Sequence, residues 1–414
     1  MRNRNSGSAV VSAAEDSMNK YAVCTLLLLS RFCVYAVQVQ ETTRDFIKAD
    51  IAGKKVLIEH AGISGEKPLD LYRLSLEFVC SNYALLSSDE DFITLACETV
   101  KKIPAFSDTE TFALLEKLFA VNENRRLQKL ILQNFGDSAA NVSAVRPGDF
   151  KVPDSLIRQV NAYTEKILRS YSVSADDGSL LEAAVKTLGQ FNDISSFPVL
   201  FTCYAFSHTE LSQKAAHALN GFSGIYDKSV RAIIADGSTR EKMLALDLVL
   251  HNPKNSDFFK AEIAENALSQ TLYNPEGAEF CTGDCVALKV KAVRELNRVS
   301  WTRSPVLIRK TFIAACKEYE AGVLTEEHFI EIIHVFSRLA SSEAGLYLSR
   351  YLKELNRNRE ERKAVSTPVL LELIDALDAL GDKTAFDDLL YATYQDYPEE
   401  VITAAAEALG KLRW

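Results

Sequence analysis

One four-position pattern limits what this chain can fold into. Residues 180–200 read "LLEAAVKTLGQFNDISSFPVL". With Leu188 as origin, Leu181, Ala184 and Val185 stand seven, four and three residues before it, and all four fall on one helix face. The same columns hold Ser212, Ala215, Ala216 and Leu219; then Leu370, Leu373, Ile374 and Leu377; then Ile402, Ala405, Ala406 and Leu409. Fifteen of these sixteen are apolar, whereas hydrophobic residues make up 47% of the chain. The alanines let two helices approach closely. One such hairpin cannot bury its apolar stripe alone, but stacking on neighbours buries it.

The turn after the stripe recurs as well. "TLGQFNDISSFPVL" (Thr187–Leu200) aligns without gaps on "ALDALGDKTAFDDL" (Ala376–Leu389). Leu188 matches Leu377, Phe191 matches Leu380, Asn192 matches Gly381, Asp193 matches Asp382, Phe197 matches Phe386 and Leu200 matches Leu389. Asn or Gly suits a left-handed residue closing one helix. The Asp that follows is placed to cap the next element. This pattern, A-L-G-x-[IL]-G-D-x-x-A-[LF]-P-x-L, resembles the bacterial HEAT repeat, in the short form also seen in phycobilisome-lyase-like proteins. Ala408, Leu409, Gly410, Lys411 and Leu412 carry its first half. Origins at 188, 219, 248, 296, 339, 377 and 409 give spacings of 31, 29, 48, 43, 38 and 32. The wide middle spacings imply insertions, including Tyr273–Asp284. The resemblance covers residues 153–412 and implies an all-α fold, an α-solenoid of stacked antiparallel hairpins whose second helices line the binding surface.

The rest of the chain is read around that array. A length of 414 residues suits a repeat array or two to three domains, and 10 Pro with 17 Gly are too few for an all-β protein. Residues 1–36 read as leader and signal peptide, 37–66 as an irregular segment, and 67–137 as N-terminal helical hairpins, either degenerate repeats or a small bundle. Residues 138–152 lose periodicity and contain Pro and Gly, so they read as a linker, and 153–414 form the HEAT-like solenoid.

The export signal starts at Met18, which reads as the true start in place of Met1. Lys20 supplies positive charge, Tyr21 to Ser30 an apolar core, and Val34-Tyr35-Ala36 a cleavage site. Arg31 interrupts the apolar run, against a spanning helix. The expectation is a periplasmic or secreted protein without a stable membrane span after cleavage; an uncleaved membrane anchor is the alternative. Cys33 has Arg31 and Phe32 where a lipoprotein site wants small residues.

Six cysteines follow the signal. Cys97, Cys203 and Cys316 lie in apolar helical runs and read as small buried hydrophobes. Cys281 and Cys285 flank "TGD" in the longest insertion. Two readings stand for them, a local disulfide permitted by export and free or differently paired thiols. Their spacing is not that of a zinc knuckle.

Chemistry is sparse elsewhere. The chain has no G-x-S-x-G, P-loop, strand-borne G-x-G-x-x-G or H-E-x-x-H. Glu331 and His334 have the spacing of a di-iron half-site, but no second copy accompanies them, so no metal or cofactor is expected. HEAT-like DNA glycosylases grip the duplex on a basic face. A net charge of −9 argues against that and against any nucleic-acid partner.

One charge feature stands out. Val286 to Phe312 carries seven Lys/Arg and one Glu, a local +6, whereas Thr367–Trp414 carries ten acidic and three basic residues, a local −7. Lys291, Arg294 and Arg298 share a helix face, followed by Trp301 and Arg303. This set reads either as a solvated face neutralised by acidic neighbours or as a docking patch for an acidic protein segment or anionic envelope polymer. The functional expectation is an exported scaffold that holds a protein or peptide partner and is not an enzyme. The alternatives are a self-associating envelope structural protein and an enzyme-accessory or lyase-type HEAT protein.

Overall fold

A computed structural model describes residues 42–61, 68–145, 150–171, 175–206, 209–222, 226–272, 281 and 283–412. The signal pattern at residues 18–36 lies outside these, as does most of the insertion after Leu272. Among the described residues the fold is all-helical, without a β-strand, and no helix is long and apolar enough to cross a membrane. Two compact units divide the chain, residues 1–218 and 219–414.

In the first unit the helices are α1 (Ile51–His60), α2 (Leu69–Ser81), α3 (Glu90–Lys102), α4 (Thr109–Val121), α5 (Arg125–Val145), α6 (Asp154–Arg169), α7 (Ala175–Phe191), α8 (Phe197–Ala205) and most of α9 (Thr209–Gly221). Side chains supply several of their starts. Asp89 accepts from Phe92 N–H at 3.0 Å to cap α3, and Asp108 accepts from Thr111 N–H at 2.8 Å to cap α4. Each helix packs on the next or the next but one: α1 on α3, α3 on α5, α5 on α7, and in the other layer α2 on α4 and α6 on α8.

Two expectations about this region are corrected. Residues 37–66 are not irregular throughout: 42–48 are helical and α1 follows, with Phe46 edge-on to Phe78 at 6.3 Å. Nor do residues 138–152 form a linker along their whole length, since α5 runs to Val145. The physical reason is a helix–helix seam. Ser138 Oγ and Asn134 Oδ1 both accept from Ala105 N–H, at 3.0 and 2.9 Å. Thr187 Oγ1 donates to Leu132 O at 2.7 Å. At Gly136 a Cβ would stand 3.1 Å from Thr187 Cα, so the missing side chain lets α5 lie close against α7. The helices before and after residue 150 thus share one core.

The second unit contains α10 (Asp227–Asp236), α11 (Thr239–His251), α12 (Asp257–Thr271), α13 (Asp284–Arg298), α14 (Pro305–Glu320), α15 (Glu326–Leu339), α16 (Ser341–Glu360), α17 (Thr367–Leu380), α18 (Phe386–Tyr394) and α19 (Glu399–Lys411). Even-numbered helices form one layer, through α10 on α12, α12 on α14 and α16 on α18. Odd-numbered helices form the other, through α11 on α13, α13 on α15, α15 on α17 and α17 on α19. This order is consistent with an α-solenoid. The widest spacing, 48, spans the expected insertion at 273–284, but the next two have a different structural origin. Apart from residues 272–283, the extra length lies in the even layer itself: α14 has 16 residues and α16 has 20, against 9 in α18.

The apolar columns are core. Leu181, Ala184, Val185, Leu188, Ala215, Leu219, Leu373, Leu377 and Ala405 are fully buried. Ala406, on the last described helix, is exposed. The buried thiols follow suit: burial pushes Cys80 up to about 11 and Cys203 up to about 12.

Candidate partner-binding surface

The charged stretch singled out from sequence begins where residue 281 re-enters the described chain. Cys281 and Cys285 are disulfide-bonded across a Cα–Cα distance of 5.4 Å. Gly283 between them has φ 55° and caps α13, a conformation that a β-carbon would strain.

From this start α13 presents its cations to both neighbours in the odd layer. Lys291 pairs with Asp247 of α11. Arg294 Nε donates to both Glu331 oxygens of α15, at 2.7 and 3.0 Å. Arg298 donates to Glu295 at 2.8 and 2.9 Å and also pairs with Asp257 at the start of α12. The hydrogen bond to Glu331 raises the Arg294 pKa, and those to Glu295 and Asp257 raise that of Arg298, so both stay charged at any ordinary pH. Trp301 is only 8% exposed, and its indole Nε1 donates to Glu265 of α12 at 2.6 Å. Arg303 lies over the Trp301 and Phe258 rings at 5.3 and 5.5 Å.

The structure therefore brings the five residues together with α11, α12 and α15, and spends them there. Each cation already has a carboxylate or an aromatic face, and the indole has little surface left for a partner. This geometry favours the neutralised-face reading over the docking one.

The pairing continues along the odd layer. His334 of α15 meets Glu372 of α17 at 3.3 Å, and Lys411 of α19 meets Asp378 of α17 at 2.7 Å. From α11 to α19 every junction between successive odd helices carries a cross-helix pair. Glu331 and His334 thus point to different neighbours, Arg294 and Glu372. Among the described residues no three His, Cys, Asp or Glu side chains converge as metal ligands.

A buried ion pair escaped the sequence reading. Lys289 Nζ is fully buried and reaches Glu318 of α14 at 2.6 Å. Burial pushes the lysine pKa down, against the pull of Glu318. The signal was available: Lys289 stands seven residues before Leu296, in the column occupied elsewhere by Leu181, Leu370 and Ile402. A charge in an apolar column announces a buried partner. A second missed network joins Tyr226 Oη to the amides of Asn252 and Asn255 at 3.0 and 2.6 Å. Compared with protein-family models and with curated proteins, the chain matches none.

Proposed function

We propose that the protein is an exported, HEAT-like α-solenoid that works by binding, holding a protein or peptide partner as a scaffold and carrying out no reaction of its own. The observation that supports it most is the two-layer order of the second unit, where most helices pack on a sequence neighbour and on the next but one. That order builds a long surface from many short helices, the usual architecture of extended recognition surfaces. The repeated turn at 187–200 and 376–389 supports the HEAT-like reading, and the Met18 pattern supports export.

Crosslinking in the native cell, followed by identification of what is joined to the chain, tests the binding reading. A defined foreign partner that re-forms a complex with the purified protein is the expected result. A second copy as the sole product would favour the structural, self-associating alternative. N-terminal sequencing should find the mature chain starting near Val37. An intact leader on protein retained in the cytosol would remove export from the proposal.

A further inference from the structure

We infer that the outward face of α14 and α16 is a docking surface for an acidic, amphipathic protein segment. The inference rests on the scaffold reading above and moves its contact surface from the odd layer to the even one.

On α14, Val306, Lys310, Ile313 and Lys317 follow at intervals of four, three and four residues, so they form one stripe along the helix. On α16, Leu346, Arg350, Lys353 and Arg357 repeat those intervals. Every position on both stripes is apolar or basic. All eight are exposed; the apolar ones keep 47% (Val306), 38% (Ile313) and 42% (Leu346) of their surface in water. Each stripe stands opposite the face its helix buries, which is Ile308, Phe312 and Ala315 on α14 and Leu348, Leu352 and Leu355 on α16. The two helices are neighbours: Arg309 pairs with Glu343, and Phe312 meets Tyr351 edge-on at 6.1 Å.

The contrast with the odd layer carries the inference. There Lys291, Arg294, Arg298 and Lys411 are each held by a carboxylate of a neighbouring helix. Here Lys310, Lys317 and Lys353 make no ion pair among the described residues, while Arg350 lies over the Tyr347 ring of its own helix at 5.6 Å and Arg357 pairs with Glu354 and the cap residue Glu361. Three unpaired lysines and two arginines held only locally, interleaved with exposed aliphatic side chains, complement a segment bearing carboxylates and apolar residues at helical spacing.

Shape and charge select a protein segment over a lipid or nucleic-acid surface. The stripes are flanked by open clefts. One, of about 700 Å³, lies between Leu272 and the Arg303–Lys310 stretch; the other, of about 600 Å³, lies between α16 and α18. Side chains enter such clefts, whereas a flat bilayer bridges them. Glu354, Glu360, Asp387 and Asp388 line the second cleft beside Arg350, Lys353 and Arg357. Those carboxylates repel an unbroken polyanion but tolerate discrete acids placed over Arg350 and Lys353. Ser304, whose hydroxyl is buried and without a partner among the described residues, lines the first cleft.

The test uses the full chain and a labelled peptide of about 20 residues with Leu and Glu at helical spacing, read by fluorescence anisotropy. The peptide should bind in a salt-sensitive way, and its scrambled counterpart should not. The triple variant K310E/R350E/K353E should keep its circular dichroism and bind at least about tenfold more weakly. R294E, which touches only the odd layer, should bind as wild type. Equal affinity of the triple variant overturns the inference. So does a wild-type chain that ignores the peptide but sediments with phosphatidylcholine–phosphatidylglycerol vesicles or binds only a second copy. Native-cell crosslinking of the triple variant separates the two levels. The same partner recovered at wild-type yield leaves the scaffold reading standing and this surface wrong. No partner recovered by either protein removes both.

Discussion

The turns at 187–200 and 376–389 lie in different units and share few identical residues, yet their backbones nearly coincide. Asn192 closes α7 at φ 51°, and Gly381 closes α17 at φ 61°. The next residue caps a three-residue 3₁₀ turn in both: Asp193 accepts from Ser195 N–H and Asp382 from Thr384 N–H, each at 2.9 Å. A helix then opens with Phe197 or Phe386 at the same φ of −55°. Even the outside anchor is shared. The preceding even-layer helix donates to the carbonyl of the equivalent turn residue, Asn161 to Ser195 O at 3.4 Å and Ser349 to Thr384 O at 3.3 Å. The difference lies in the left-handed residue. Glycine takes that conformation freely, whereas asparagine carries a Cβ and meets some strain. The turn is specified by chemistry at three or four positions, and the rest of its sequence is free to drift.

Substitutions at matched positions can break this equivalence or sharpen it. The largest effect is expected from L188D and L377D. Both leucines are fully buried, so an unpaired carboxylate there should cost more than about 4 kcal/mol. Thermal melting should show both variants largely unfolded; if one melts as wild type, the two columns are not equivalent. Next, G381A should lose about 1–2 kcal/mol because alanine resists φ 61°, while N192G should gain up to about 1 kcal/mol. Opposite signs in urea titrations are the outcome that matters, and equal signs would deny the shared turn. D193A and D382A should then each cost about 1 kcal/mol through the lost cap, with similar values at the two sites. Smallest of all, N161A and S349A should each cost about 0.5–1 kcal/mol. Asn161 falls at the lower end because its bond is long, whereas Ser349 also pairs with Asp388.

What the sequence made legible was local. Helix faces, the left-handed closure and the capping Asp depend on residues within four positions of one another, and Leu181, Leu188, Asn192 and Asp382 all stand where their spacing put them. Pairings across helices were not legible. Lys291 reaches Asp247 across 44 residues and Arg294 reaches Glu331 across 37, so a local charge count gave +6 where the fold pairs five of the seven cations with carboxylates. The same limit hid the depth of Trp301, whose partner Glu265 precedes the insertion. Helix length was not legible either. Added turns within α14 and α16 keep the apolar period while moving the next origin further along the chain, so they resemble insertions. At residues 138–145 the loss of apolar periodicity suggested a linker. The small and polar residues there continue α5 past its seam with α7, where close approach and hydrogen bonds to Ala105 replace bulk.

The pairs along the odd layer amount to a spelling of helix order. α13 offers cations to both sides, Lys291 and Arg294. α17 offers anions to both, Glu372 and Asp378. α15 shows an acid to one neighbour and a histidine to the other. Hairpins with the same apolar stripe are interchangeable as far as the hydrophobic effect is concerned, since burial has no direction. A chain collapsing from many similar hairpins meets wrong neighbours before right ones. If α17 took the place of α13, its acids would face Asp247 and Glu331, and like charges would push it out. A set of contacts each too weak to hold the array together can still proofread its sequence of assembly.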